Sequence, residues 1–160
     1  MKNNKVLIIV DGVPYSGKSD YIDEHFNPIE CDLIDTKFLQ KEYEHCESLI
    51  PDIIKKSMYS LTYNDKLIIK SVIMNGKYID QIIRPLKEKF KNIKVEYVLI
   101  ETDLDKIEDN IRASDNDGLE DIKLEYINNL KKDYQYANVQ SKYIDKKTLI
   151  KNGVEVSESN

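Results

Sequence analysis

Apolar residues fall along this chain in short unbroken runs, separated by longer stretches in which they recur every three or four positions. The first run, Lys5 to Val10, has five consecutive apolar residues after the lysine. Such runs, lacking polar alternation, belong to strands covered on both faces. Further strands are expected at Ile29 to Ile34, from Lys66 to Lys70 or Ser71, and from Val95 to Ile100, where only Glu96 breaks the apolar character. Helical spacing predicts helices at Lys18 to His25, Lys37 to Glu47 and Ile50 to Leu61, the last with Pro51 in its first turn. Another is expected at Tyr78 to Phe90, where Pro85 either kinks the helix or detaches its first turns. Leu104, Ile107 and Ile111 keep helical spacing, and Ala113 to Gly118 is a polar break. Leu119 to Tyr134 then reads as an amphipathic helix. A short last strand is expected near Tyr143-Ile144, with a frayed end from Lys151. Strands alternating with helices, with no repeat and no Pro/Gly linker, predict one α/β domain over residues 1–150 and a flexible tail over 151–160. The expected sheet is parallel and five-stranded.

Composition narrows the setting. The 160 residues suit a single domain, and 41% hydrophobic content suffices for one core. No apolar run approaches the length needed to span a bilayer. The basic start, Met1 to Lys5, leads into an apolar run too short for a signal peptide. Cys31 and Cys46 fit neither a metal pattern nor a disulfide framework, which suits a cytoplasmic protein. A net charge of −5 argues against a dedicated binder of long nucleic acid. Against 22 lysines stand only two arginines, Arg84 and Arg112, so any fork-like recognition of phosphate falls to these two.

The chemistry concentrates after the first strand. Gly12-Val13-Pro14-Tyr15-Ser16-Gly17-Lys18-Ser19 fits G-x-x-x-x-G-K-[ST], with an apolar strand before it and a helical pattern after it, the context the motif requires. Glycines let the backbone wrap an anion, and the following helix presents its positive end. In such a phosphate loop Lys18 reaches the β- and γ-phosphates of ATP and the Ser19 hydroxyl holds Mg²⁺. Asp11, just before the loop, is a second candidate for the metal. Tyr15 occupies a variable position, with its ring expected to point away from the loop.

With this loop, the chain resembles P-loop kinases of the nucleoside, nucleotide and polynucleotide type, and within them the AAA-like kinase family that holds polynucleotide 5′-kinases and zeta-toxin-like proteins. The resemblance runs from about Lys5 to Tyr134. "LIIKSVIMN", residues 67 to 75, is similar to that family's third strand and exit, and "LIETDLDKIEDNIRAS", residues 99 to 114, to its fourth strand and lid helix. It implies a P-loop NTPase fold with a short lid, and transfer of the γ-phosphate of ATP to a nucleoside, a nucleotide, a related small acceptor or a nucleic-acid 5′ end. It makes Asp35 the base that takes the acceptor's proton and Arg112 the lid arginine on the transferring phosphate. From residue type alone, Asp35 equally suits an N-cap for the helix expected at Lys37, and Arg112 a cation at a helix C-terminus. Lys37 is a lesser candidate for an acceptor phosphate. Two positions depart from the family. Lys70 stands where an acid is usual, and Asp109 where an arginine is common. Lys70 motivates an alternative: a nucleotide-binding protein without kinase activity.

Overall fold

The apolar run at the start of the chain becomes the middle of a sheet. The computed structural model describes residues 4–36, 49–71, 76–114, 117–132 and 139–159. In chain order these hold β1 (Val6–Asp11), α1 (Lys18–His25), β2 (Asp32–Asp35), α2 (Ile50–Tyr63), β3 (Lys66–Ser71), α3 (Gly76–Lys89), β4 (Lys94–Glu101), α4 (Leu104–Ser114), α5 (Glu120–Lys131), β5 (Lys146–Lys151) and β6 (Val154–Ser159). The strands order as β2-β3-β1-β4-β5-β6. All neighbours are parallel except β5 and β6. The helix expected at Lys37 to Glu47, with Lys37 itself, lies outside the described residues.

Alternation along the central strands divides the core. Leu7 and Ile9 of β1, Leu67 and Ile69 of β3 and Val95, Tyr97 and Leu99 of β4 face the layer built by α2 and α3. Ile8, Val10, Ile68, Val98 and Ile100 face the opposite side, with Ile22 of α1. Covering both faces explains why these strands read as continuous apolar runs.

Pro85 lies inside α3 without breaking it. A proline in a helix interior costs about 3 kcal/mol. Against this, Ile79, Ile82, Ile83 and Leu86 are all at most 1% exposed. Each such burial contributes roughly 1.5–3 kcal/mol as an upper bound, so packing outweighs the penalty. Gln81, whose carbonyl would have bonded residue 85, is an exposed residue.

Three expectations are corrected. The second strand begins at Asp32 rather than Ile29, which is 91% exposed. Asn27 turns the chain there: its side-chain oxygen accepts the Ile29 N–H, and its carbonyl accepts those of Glu30 and Cys31. The last parallel strand lies at Lys146–Lys151, later than Tyr143-Ile144. The expected tail from Lys151 instead holds β6, so among the described residues the sheet has six strands rather than five. Asn152 and Gly153 both take positive φ, 50° and 82°, between the paired residues Lys151 and Val154. Two such residues in succession suit a two-residue hairpin turn, and Asn-Gly is its strongest sequence signal.

Candidate functional site

β1 delivers the chain to the carboxyl edge of the sheet, where Gly12 starts the loop. A Cβ on Gly12 would lie 2.6 Å from the carbonyl oxygen of Ile100 and 2.8 Å from Ser16 Oγ. Only glycine lets the loop pass so close to β4. Gly17, at φ 97°, caps α1 in a left-handed conformation that side chains rarely take. Tyr15 takes φ 62° as well.

Side chains from the sheet and from α4 hold the loop in shape. Asp11 is fully buried; its carboxylate accepts the Gly12 N–H at 2.9 Å through Oδ1 and the Tyr97 hydroxyl at 2.8 Å through Oδ2. Thr102, just past β4, donates its hydroxyl to the Ser16 carbonyl at 2.7 Å, and Lys131 donates to the Thr102 carbonyl at 2.8 Å. Asn110 of α4 donates to the Tyr15 carbonyl at 2.9 Å. Beneath the loop, Val13 joins Ile107, Ile111 and Ile127 in a small core of its own. The Tyr15 ring packs against that core, with the Lys123 ammonium 5.9 Å from its centroid.

Lys18 sits inside this loop, 5% exposed, and its ammonium donates to the carbonyls of Gly12 at 2.8 Å and Val13 at 2.9 Å. Beside it opens a cleft of about 720 Å³, within the ordinary range of ligand pockets. Pro14 through Asp20 form its floor; Asp35, Lys70, Asn110, Ala113, Ser114 and Tyr126 form its walls. A depression of about 250 Å³, lined by Ser16, Thr102, Lys106, Asp109, Asn110, Asn152 and Gly153, lies on the loop's other flank.

Register explains how Lys70 reaches the cleft. It pairs with Val10 of β1 on one side and Asp35 of β2 on the other. Its ammonium lies 2.5 Å from Ser19 Oγ and 3.4 Å from Asp35 Oδ2. The two side chains are only 19% and 13% exposed. Asp35 therefore enters the cleft as one half of an ion pair. Its alternative as an N-cap concerns a helix outside the described residues.

Arg112 is placed differently from the lid role that the resemblance implies. It does not line the cleft. Its guanidinium donates to Glu108 Oε1 at 2.5 Å within α4 and to Glu120 Oε2 at 3.0 Å at the start of α5. The hydrogen bond to Glu120, then the charge of Glu108, raises its pKa further above the ordinary arginine value. Arg112 is thus a strut between two helices. Arg84 is exposed and pairs with Glu88 at 3.4 Å along α3.

The loop implies Mg²⁺, and the side chains present do not fit it in the expected way. Asp11, named as a metal candidate, is fully buried with both oxygens holding protein donors. Among the described residues no three of His, Cys, Asp and Glu gather where they could hold a metal ion. Ser19 Oγ is contacted by a cation already. A Mg²⁺ bound about 2.1 Å from that oxygen would lie at most about 4.6 Å from the Lys70 ammonium. At that separation repulsion between a double and a single charge is about 2 kcal/mol in bulk water and about 7 kcal/mol at an effective dielectric of 20. The nearby Asp35 carboxylate is already paired with Lys70, so the Ser19 hydroxyl and a nucleotide's own phosphates are left to set against it.

Of the sequence candidates, the structure brings Lys18, Ser19 and Asp35 to one cleft and leaves Asp11 and Arg112 off it. It adds Tyr97, Thr102, Asn110 and Lys131 as supports of the loop. Tyr97 and Thr102 had no signal beyond their place on a central strand and at its exit.

No protein-family model matches the sequence, and no curated protein matches it. Solved structures do. A chain from the PezAT chromosomal toxin-antitoxin system of Streptococcus pneumoniae is similar with a TM-score of 0.62 at 16% identity, over 97% of this chain and 71% of its own. A sugar kinase from a Janibacter species gives 0.58 at 12% identity over 92% and 86%. A gluconokinase from Sinorhizobium meliloti gives 0.57 at 10% identity over 94% and 83%. At such identities the likeness is one of architecture, and in architecture the chain is an α/β protein with the fold of P-loop kinases.

Proposed function

We propose that this protein is an ATP-dependent phosphotransferase that moves the γ-phosphate to the hydroxyl of a nucleoside, a nucleotide or a related small acceptor. The observation that carries the reading is the Lys18 ammonium held over the Gly12 and Val13 carbonyls, beside a cleft that also holds a carboxylate, Asp35. A triphosphate laid along Pro14 to Ser19 meets Lys18 and the positive end of α1. Such a transfer needs positioning and charge neutralisation above all. Asp35 takes the proton of the acceptor hydroxyl. The acceptor oxygen bonds to the γ-phosphorus as the β–γ bridging P–O bond breaks, and ADP leaves with that electron pair. The fold of sugar kinases and the acidic net charge favour a small acceptor over a polynucleotide 5′-hydroxyl.

A second reading, a nucleotide-binding protein without turnover, is favoured by Lys70 where an acid is usual. The two separate in one experiment. The protein is incubated with γ-labelled ATP and a panel of nucleosides, nucleotides, sugars and 5′-hydroxyl oligonucleotides, alongside calorimetry with ATP. Label transfer to an acceptor, lost in Lys18→Ala, is the expected result. ATP binding with no transfer to any acceptor selects the second reading. No ATP binding at all removes both.

A further inference from the structure

Lys70 is the feature of the cleft that the loop motif leaves unexplained. Its ammonium contacts the one hydroxyl, that of Ser19, that a phosphate loop offers to a divalent ion. Its second partner, Asp35, is a carboxylate that could otherwise have joined a metal's ligand set. The lysine is held from both sides by strand register, and its side chain is four-fifths buried. It is thus not a loose surface cation. Lys18 lies on the inner side of the same loop, against the Gly12 and Val13 carbonyls. Two ammonium groups, Lys18 and Lys70, therefore flank the first turn of α1.

Resting on the nucleotide reading above, we propose that Lys70 is the site's built-in cation: it takes the place of the divalent ion, and the cleft binds a nucleoside triphosphate in its metal-free form. The charges support this. A triphosphate tail carries three to four negative charges, of which a bound Mg²⁺ offsets two. Lys18, Lys70 and the amino end of α1 supply about two and a half positive charges with no ion present, of which the paired Asp35 carboxylate offsets one. A lysine ammonium also has three donors, enough to keep Ser19 and Asp35 while turning one toward a phosphate oxygen. A divalent ion arriving with the nucleotide has to displace Lys70 from Ser19 or sit against its charge. The site therefore discriminates against the metal complex instead of requiring it.

The test is equilibrium binding of ATP by calorimetry, on metal-depleted protein in EDTA and again in excess MgCl₂. It uses the parent chain, Lys70→Gln and Lys70→Asp, with circular dichroism to confirm folding. The parent is expected to bind ATP in EDTA at least as tightly as in Mg²⁺. Lys70→Gln is expected to lose tenfold or more in EDTA, and Lys70→Asp to bind with Mg²⁺ only. A parent that binds tenfold more tightly with Mg²⁺ than without overturns the proposal while leaving the nucleotide site intact, and this arm needs no variant to fold. Unchanged affinity of folded Lys70→Gln in EDTA overturns it too. A parent that binds ATP under neither condition removes the nucleotide reading itself, and the two failures are thereby distinct.

Discussion

Replacing Gly12 by alanine should damage the loop through contact above all. Its φ of 159° is one that side chains rarely adopt, so alanine is strained there as well as crowded. The new Cβ meets the Ile100 carbonyl at 2.6 Å, where real Cβ atoms essentially never come within 3.0 Å and rarely within 3.4 Å. The loop must therefore retreat from β4 by roughly 0.4–0.8 Å, and the obstacle is strand backbone, which cannot swing aside as a side chain does. Overpacking of this kind costs about 1–3 kcal/mol. Reduced freedom of the unfolded chain returns about 0.4–1 kcal/mol. The net expectation is a loss of about 1–2 kcal/mol, or roughly 2–8 °C in Tm for a domain of this size. Because the retreat moves the carbonyl that Lys18 holds, ATP affinity should fall tenfold or more. Gly17→Ala is the control: its Cβ meets open space, and only the left-handed φ of 97° is penalised, at about 1–2 kcal/mol. Urea denaturation followed by circular dichroism, with ATP titration of both variants, measures the two effects. A Gly12→Ala protein with parental stability and affinity refutes the claim that β4 forces glycine at this position.

Further expectations concern the supports of the loop and two titrating groups. Tyr97→Phe leaves the buried Asp11 carboxylate without its hydroxyl donor; loss of a hydrogen bond to a charged group costs about 1.5–3 kcal/mol, read as a lower urea midpoint with unchanged m-value. Asp117 accepts from Lys123 and from the Leu119 N–H, which lowers its pKa below the usual carboxylate value. Its contribution is therefore present above the unfolded-state pKa and is lost as pH falls through the lower folded value. The stability gap between the parent and Asp117→Asn, measured by thermal melts, should close on acidification below about pH 4. Burial pushes the Cys31 thiol up, and Lys66 only partly opposes that. Peptide mapping after iodoacetamide at pH 8 should show Cys31 labelled more slowly than a free small thiol; equal rates would contradict its placement.

How much of this was legible in the sequence depended on whether the signal was local. The central strands were readable because burial on both faces leaves continuous apolar runs at β1, β3 and β4. The loop was readable because its backbone geometry demands particular residues at fixed spacing. The edges were not. β2 is a four-residue edge strand whose start is set by an Asn27 turn, and Ile29, apolar yet 91% exposed, pointed the wrong way. β6 was missed although Asn152-Gly153 announced a hairpin, because its exposed valines and polar neighbours resemble a frayed end. Asp35 and Lys70 were each singled out, but their meeting depends on the parallel register of β2 on β3, which no spacing along the chain encodes.

Tyr15 links the loop to the helices beside it. A tyrosine at φ 62° costs roughly 1–2 kcal/mol that glycine would not. The cost is offset from outside the loop: the ring packs with Val13 against Ile107, Ile111 and Ile127, and Asn110 holds its carbonyl. The same α4 and α5 are tied to each other by Arg112, through Glu108 and Glu120. The shape of the Gly12–Ser19 loop is therefore not self-contained. Its strained residue is held by the α4–α5 pair, and that pair also supplies Asn110, Ala113, Ser114 and Tyr126 to the cleft wall. The residues that seat Tyr15 and those that form this part of the cleft wall therefore share the same two helices. Arg112, with no place in the cleft, acts on it as the brace that keeps those two helices together.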